Sequence, residues 1–202
     1  DLVYSGTDEA FAQWTNIMAP VYQAGIRIYP VYGNHDGAPS LFTNVFGADL
    51  PDNGPEGERK RTYYFQHQNA MMTGLDVYER TNRVNVHWLD GVLPSNYMPH
   101  VFAIGHIPAF KVYHTDCLDD DAAERDAFWD AMGQAGGRVY FCGHDHFYDH
   151  ARLDDGDGHP ENDLHQYVVG TGGAPLYDDG AYDGENGRWT PVRAHHEKQY
   201  GY

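Results

Sequence analysis

Between Asp8 and Ala24 the apolar residues Phe11, Trp14, Ile17, Met18 and Val21 recur at three- and four-residue steps, the spacing of one helical face. Thr7 or Asp8 stands where a cap belongs, Gly25 stands where the helix would stop, and Pro20 shortens or kinks it. Ile26–Tyr32 is apolar and β-branched and reads as a strand. Pro39–Phe46 fits a short helix, and Pro51–Arg61 is a loop rich in Gly and Pro. Thr62–Gln66 and Ala70–Leu75 read as two short strands, and Asn85–Leu93 returns to helical spacing through Val86, Leu89 and Leu93. Val101–Ile104 is a strand. Asp119–Gln134 has its acids first and Phe128, Trp129 and Met132 on one side, which predicts a helix. Val139–Cys142, Phe147–Leu153 and Gln166–Gly170 are further strands, and the acidic, Gly-rich stretches Asp154–Asp163 and Tyr177–Gly187 are loops.

This order mixes βα alternation with antiparallel pairs. It predicts an α/β fold, a two-sheet αββα sandwich with mixed sheets and helices outside. Residues 1–202 are the length of one domain. In such folds ligands sit beyond the C-terminal ends of strands, and three of those ends share a punctuation. Tyr32 is followed by Gly33-Asn34-His35-Asp36, Ile104 by Gly105-His106, and Cys142 by Gly143-His144-Asp145-His146. In each, a glycine is expected to let the backbone turn sharply and a metal-capable side chain follows. Asp1 heads a fourth such end. Imidazoles, a carboxylate and an asparagine carbonyl form a mixed N/O ligand set suited to zinc, manganese or iron.

Composition narrows the classes. Hydrophobic residues make up 41% and aromatics 14%, enough for a packed core. No apolar run is long enough for a membrane span. The formal net charge of −17 repels phosphate backbones, which argues against nucleic acid as a partner. It equally repels an anionic substrate at long range, so a phosphate-handling site here needs cations at its centre. The two cysteines make no disulfide framework; Cys142 reads as a small buried hydrophobe, and a Cys117–Cys142 bridge stays open.

The ordered set GNHD, a lone His106 and GHDH, each after a strand, resembles the calcineurin-like metallophosphoesterase superfamily. Asp1-Leu-Val-Tyr4 resembles that family's second motif without its leading glycine, and a tyrosine at the fourth place is the purple acid phosphatase form, where it binds ferric iron. The resemblance implies two transition metals (Fe, Zn or Mn) sharing Asp1 as a bridge. One is completed by Asn34, His106 and His144. The other uses His146, Tyr4 and an aspartate of a first motif that lies upstream of these residues. The chain therefore reads as incomplete at its N-terminus and also at its C-terminus. His35 resembles the family's histidine that assists the leaving group, and Asp36 is expected to hydrogen-bond it and set its tautomer. The implied activity is hydrolysis of a small phosphate ester by water activated between the two metals, in an extracellular or periplasmic setting. A phosphodiesterase or nucleotidase, and an inactive metal-binding assembly protein on the same fold, are the alternatives.

The remaining histidines look peripheral. His150 reads as a strand-surface residue, and His114, His159, His195 and His196 as solvent residues. Asp154–Gly158 faintly resembles a calcium loop, without a glutamate at the right spacing. Gly170-Thr-Gly-Gly173 fits neither nucleotide-binding fingerprint and reads as a tight loop near the site.

Overall fold

A computed structural model describes residues 1–178, 180–182 and 187–201. The mixed α/β class is as expected. Among the described residues there are four α-helices: α1 (Asp8–Gln23), α2 (Pro39–Phe46), α3 (Val86–Val92) and α4 (Ala122–Gln134). Their caps follow from sequence. Thr7 Oγ1 accepts the Ala10 N–H at 3.2 Å, Asn85 Oδ1 accepts that of Trp88 at 3.1 Å, and Asp121 Oδ1 accepts that of Glu124 at 3.1 Å. α4 begins later than its acidic run because Leu118–Asp121 forms a 3₁₀ turn first.

Among the described residues seven strands form one sheet: β1 (Tyr63–His67), β2 (Ala70–Gly74), β3 (His100–Ile104), β4 (Val139–Cys142), β5 (Tyr148–Asp154), β6 (Leu164–Val169) and β7 (Thr190–Glu197), in the order β1-β2-β3-β4-β6-β5-β7. The centre, β2-β3-β4-β6, is parallel; β1, β5 and β7 pair antiparallel. Two sheets were expected; among the described residues the strands join one. The predicted strand 26–32 makes no ladder. Pro30 lies in its middle and has no N–H to give. Side chains hold the segment instead: Tyr29 stacks on Phe65 with ring centres 3.7 Å apart, and the Pro30 carbonyl accepts the Tyr63 hydroxyl at 2.8 Å. β7 went unpredicted because it is a sheet edge with most of its residues exposed, so no alternation marks it.

The main core lies between the sheet and helices α3 and α4, around Leu89, Phe128, Trp129, Met132, Tyr140 and Phe147. A smaller one gathers Phe11, Phe42, Phe46 and Tyr63 under α1 and α2. Both cysteines are buried and free: Cys142 Sγ points to the Tyr167 carbonyl and Cys117 Sγ to that of Thr115, so the possible bridge is not formed. His196, expected in solvent, turns inward, its Nδ1 2.9 Å from the fully buried Asp149 carboxylate. That carboxylate also takes Arg193 Nε at 2.7 Å and the Tyr182 hydroxyl at 2.5 Å, and so pins β7 and its approach to β5. No helix among the described residues is long and apolar enough to cross a membrane.

Ala109 and Phe110, in the segment after β3, are held by one side chain. Gln166 on β6 is fully buried, and its Oε1 accepts the N–H groups of Ala109 at 2.7 Å and Phe110 at 3.0 Å. Leucine fills nearly the same volume but leaves both donors without an acceptor. Gln166→Leu is expected to lower stability by about 2–6 kcal/mol, from about 1–3 kcal/mol for each of the two orphaned groups, measured by urea unfolding. A second test lies at Gly170, where an added Cβ would stand 2.0 Å from the Asp145 carbonyl oxygen. Gly170→Ala must displace backbone and is expected to cost about 1–3 kcal/mol in the same assay.

Candidate metal centre

The parallel pairing of β3 with β4 brings two motif turns together. His106 lies two residues past the end of β3 and His144 two past the end of β4, and the Gly143 N–H donates to the His106 carbonyl at 2.8 Å. The imidazole centres are 5.2 Å apart. The GNHD segment forms a short 3₁₀ turn, Asn34–Asp36, against the first residues of the chain.

The glycines before these motifs serve differently from expectation. Gly33 is extended, with φ −120° and ψ 169°, and does not make a left-handed turn. What it supplies is space: a Cβ there would stand 2.2 Å from Asp1 Oδ1. In the GHDH turn the left-handed residue is His144 itself, at φ +68°. A histidine held there is strained by the fold, and such strain clusters at functional sites.

Around His106 the donor atoms crowd. Its Nε2 lies 3.1 Å from Asn34 Oδ1 and 3.3 Å from Asp1 Oδ2. The Nε2–H of a neutral ring donates to these oxygens, and a cation in that proton's place would meet a nitrogen and two oxygens, a donor set that suits a transition metal. Burial, reinforced by His144, holds the His106 imidazole well below its usual range. The ring is therefore neutral, the form that binds metal. Burial also lowers His144, against the pull of Asp116, whose Oδ1 lies 3.1 Å from His144 Nε2. For Asp116 burial raises the carboxyl, and the hydrogen bond and charge of His144 override it. Asp1 reaches a second element too, because its Oδ1 accepts the His35 N–H at 2.9 Å.

Asp1, Asn34, His35, His144 and His146 line one open cleft of about 180 Å³, with His106 buried behind them. His35 Nδ1 lies 2.8 Å from the Tyr4 carbonyl. A carbonyl only accepts, so Nδ1 carries the proton and the Nε2 lone pair is free. The same argument applies to His146, whose Nδ1 is 2.9 Å from the Pro175 carbonyl. Tyr4 is not gathered with the rest. Its ring is 86% exposed and lies beside that of His35, centres 5.7 Å apart. Asp36 does not touch His35. It is wholly buried, accepts the N–H groups of Leu2 at 2.8 Å and Gly33 at 2.9 Å, and clamps the chain's first residues to the GNHD turn. The Tyr4 carbonyl does the orienting expected of Asp36.

Three lining residues escaped the sequence. His114, expected in solvent, stacks near His144 with ring centres 4.3 Å apart, and its Nδ1 lies 2.6 Å from Asp145. Asp145 is fully buried and also accepts the N–H groups of Tyr113 and His114, at 3.0 and 3.1 Å. Asp116 belongs to the same loop, and Tyr177 stacks on His146 at 4.2 Å. No periodicity or spacing marks any of them; the only available signal was the acid between the two histidines of GHDH. His150 points to the sheet face, its Nε2 3.0 Å from His165 Nδ1, away from the cleft. The faint calcium loop does gather carboxylates, since those of Asp154, Asp155 and Asp163 lie within 4.8 Å of one another. Arg152 pairs with two of them, Asp154 and Asp163.

Comparison with known proteins accords with this geometry. No curated protein sequence matches the chain. Among solved structures, a purple acid phosphatase from yellow lupin (Lupinus luteus) seeds superposes with a TM-score of 0.65 at 16% identity, over 100% of this chain and 40% of that one. GAP50, the anchor in the inner membrane complex of Plasmodium, superposes with a TM-score of 0.56 at 14% identity, over 100% of this chain and 65% of its own. At these identities the likeness is one of fold, and this chain spans less than two thirds of either protein. The family model for calcineurin-like phosphoesterases matches residues 1–148, which run from Asp1 past both histidines of GHDH, and the chain belongs to that family.

Proposed function

We propose that this domain hydrolyses small phosphate esters with the help of two transition metals. The observation that carries the proposal is the convergence of Asp1 Oδ2 and Asn34 Oδ1 on His106 Nε2, within 3.3 Å, beside the strained His144. Asp1, Asn34, His106 and His144 would hold one cation. Asp1 and His146 would hold part of a second, and iron, zinc and manganese suit such ligands. When bound, the metals polarise the phosphoryl group and lower the pKa of the attacking water.

The chain's own residues do the rest. His35 presents Nε2 to the cleft because Nδ1 is committed to the Tyr4 carbonyl. With Nδ1–H kept on the Tyr4 carbonyl, the doubly protonated ring would carry its second proton at Nε2 and pass it to the leaving-group oxygen as its bond to phosphorus breaks, returning Nε2 to a free lone pair. His114, oriented by Asp145, stands across the opening, where its imidazole can contact the ester oxygens. Against a net charge of −17, a substrate anion is drawn in only where the cations and these histidines outweigh the surface. The acidic surface is in keeping with an extracellular or periplasmic setting.

The test is metal analysis by mass spectrometry together with p-nitrophenyl phosphate turnover on the whole protein. His144→Ala is expected to lose both bound metal and turnover; turnover that survives it would sink the proposal. Metal retained by the wild type with no turnover of monoester or diester would favour a metal-binding assembly role on this fold. His35→Gln is expected to keep its metal and lose about 10²–10⁴ in kcat, the usual range for a general acid. Because the Tyr4 ring stands outside the donor cluster, Tyr4→Phe is expected to leave metal content unchanged.

A further inference from the structure

The histidines of the cleft differ in which ring nitrogen is engaged. His35 and His146 commit Nδ1 to backbone carbonyls, and His114 commits Nδ1 to Asp145. In His144 the engaged nitrogen is Nε2, which lies 3.1 Å from Asp116 Oδ1. The His144 side chain is 7% exposed and that of Asp116 is 44% exposed, so the carboxylate stands at the rim of the cleft and the ring behind it.

Asp116 does not hang on a free loop. Two residues before it, the His114 N–H donates to Asp145 at 3.1 Å, and the His114 ring lies against the same carboxylate. Two residues after it, the Leu118 N–H donates to the Pro108 carbonyl at 3.0 Å, and Cys117 and Leu118 are buried. The loop is thus held on both sides of Asp116, and one of the anchors, Asp145, is the residue next to His144. The His144 backbone is itself held left-handed, at φ +68°. Ring and carboxylate therefore meet from two short, fixed segments.

A carboxylate ion accepts and does not donate, so the proton between the pair belongs to Nε2. In the neutral ring the lone pair is then at Nδ1. Without Asp116 the proton divides between the two nitrogens, and part of the population presents an N–H where a cation needs a lone pair. A metal-binding histidine usually donates its other N–H to an acceptor that fixes tautomer and ring orientation. Asp1, Asn34, His106 and His144 already make four donors for one cation, so Asp116 is not needed as a ligand itself.

We infer that Asp116 is a positioning residue for His144: its carboxylate keeps the ring proton on Nε2 and leaves Nδ1 as the nitrogen that takes the cation, whereas His106 offers Nε2. The inference rests on the metal reading given under the proposed function.

Nitrogen-15 NMR of the histidine rings and calorimetric titration with zinc, both on the whole protein, test it. The His144 signals are identified by their loss in His144→Ala. In the metal-free wild type His144 is expected as the Nε2–H tautomer, and in the zinc-loaded protein it is expected to bind through Nδ1. Asp116→Ala is expected to mix the two tautomers and to weaken zinc binding about 10–100-fold, the usual effect of losing such a partner. The melting temperature of that variant without metal should match the wild type, because the side chain it removes is half exposed. Asp116→Asn, whose amide oxygen can accept from Nε2–H, should recover most of the affinity. Equal loss in the Asn and Ala variants would overturn the inference in favour of a direct ligand. An Nδ1–H tautomer in the metal-free wild type, or zinc binding untouched by Asp116→Ala, would overturn it outright. A wild type that takes up no transition metal would sink the metal reading, and the tautomers of metal-free wild type and Asp116→Ala would still decide whether Asp116 sets the ring.

Discussion

The constraint on which the site rests is the parallel pairing of two central strands, β3 and β4. Parallel neighbours end on the same side of a sheet, so whatever follows each of them meets there. The bond from Gly143 to the His106 carbonyl continues the pairing one step beyond the strands, into the motif turns. Two histidines 38 positions apart thereby become neighbours without either loop having to find the other. Everything else in the cleft is added to that junction: Asp1 and Asn34 from one side, the loop 113–116 and Tyr177 from the other.

Buried carboxylates make these attachments. Asp36, Asp145 and Asp149 are each fully excluded from solvent, and each satisfies its oxygens with several donors. Asp36 joins the chain's first residues to the GNHD turn, Asp145 ties the 113–114 loop to the GHDH turn, and Asp149 ties β7 to β5. Burying an ionised carboxylate is costly unless donors surround it, and removing one donor leaves the rest of the penalty in place. Such a hub therefore favours one arrangement of its segments over slightly displaced ones, which is what a site needing ligand atoms within a few tenths of an ångström demands.

The candidate ligands were legible because metal chemistry uses few residue types and because two of the three motifs follow apolar runs that form strands, β3 and β4. Asn34, His106, His144 and His146 stood out, and the structure sets Asn34, His144 and His146 around one cleft with His106 buried behind it. The aspartates were misjudged, since a carboxylate beside a histidine looks the same in sequence whether it faces the ring or the backbone. Asp36 was assigned to His35 and in fact serves Leu2 and Gly33. His114 and Asp116 were missed because their place depends on bonds to Asp145, a tertiary fact with no local pattern. The segment 26–32 deceived in the opposite way: its composition is that of a strand, yet Pro30 and a set of aromatic contacts keep it off the sheet.

The left-handed backbone at His144 bears on how the proposed metal centre could be retuned. Beyond glycine, asparagine and aspartate adopt that conformation with least strain. Both offer oxygen, and neither offers the soft sulfur that would draw copper or a second class of metals. The fold thus limits which metals a single exchange at this position can reach: substitutions that suit the backbone shift the centre toward harder, oxygen-loving cations, while cysteine meets resistance from the main chain before its chemistry is tried.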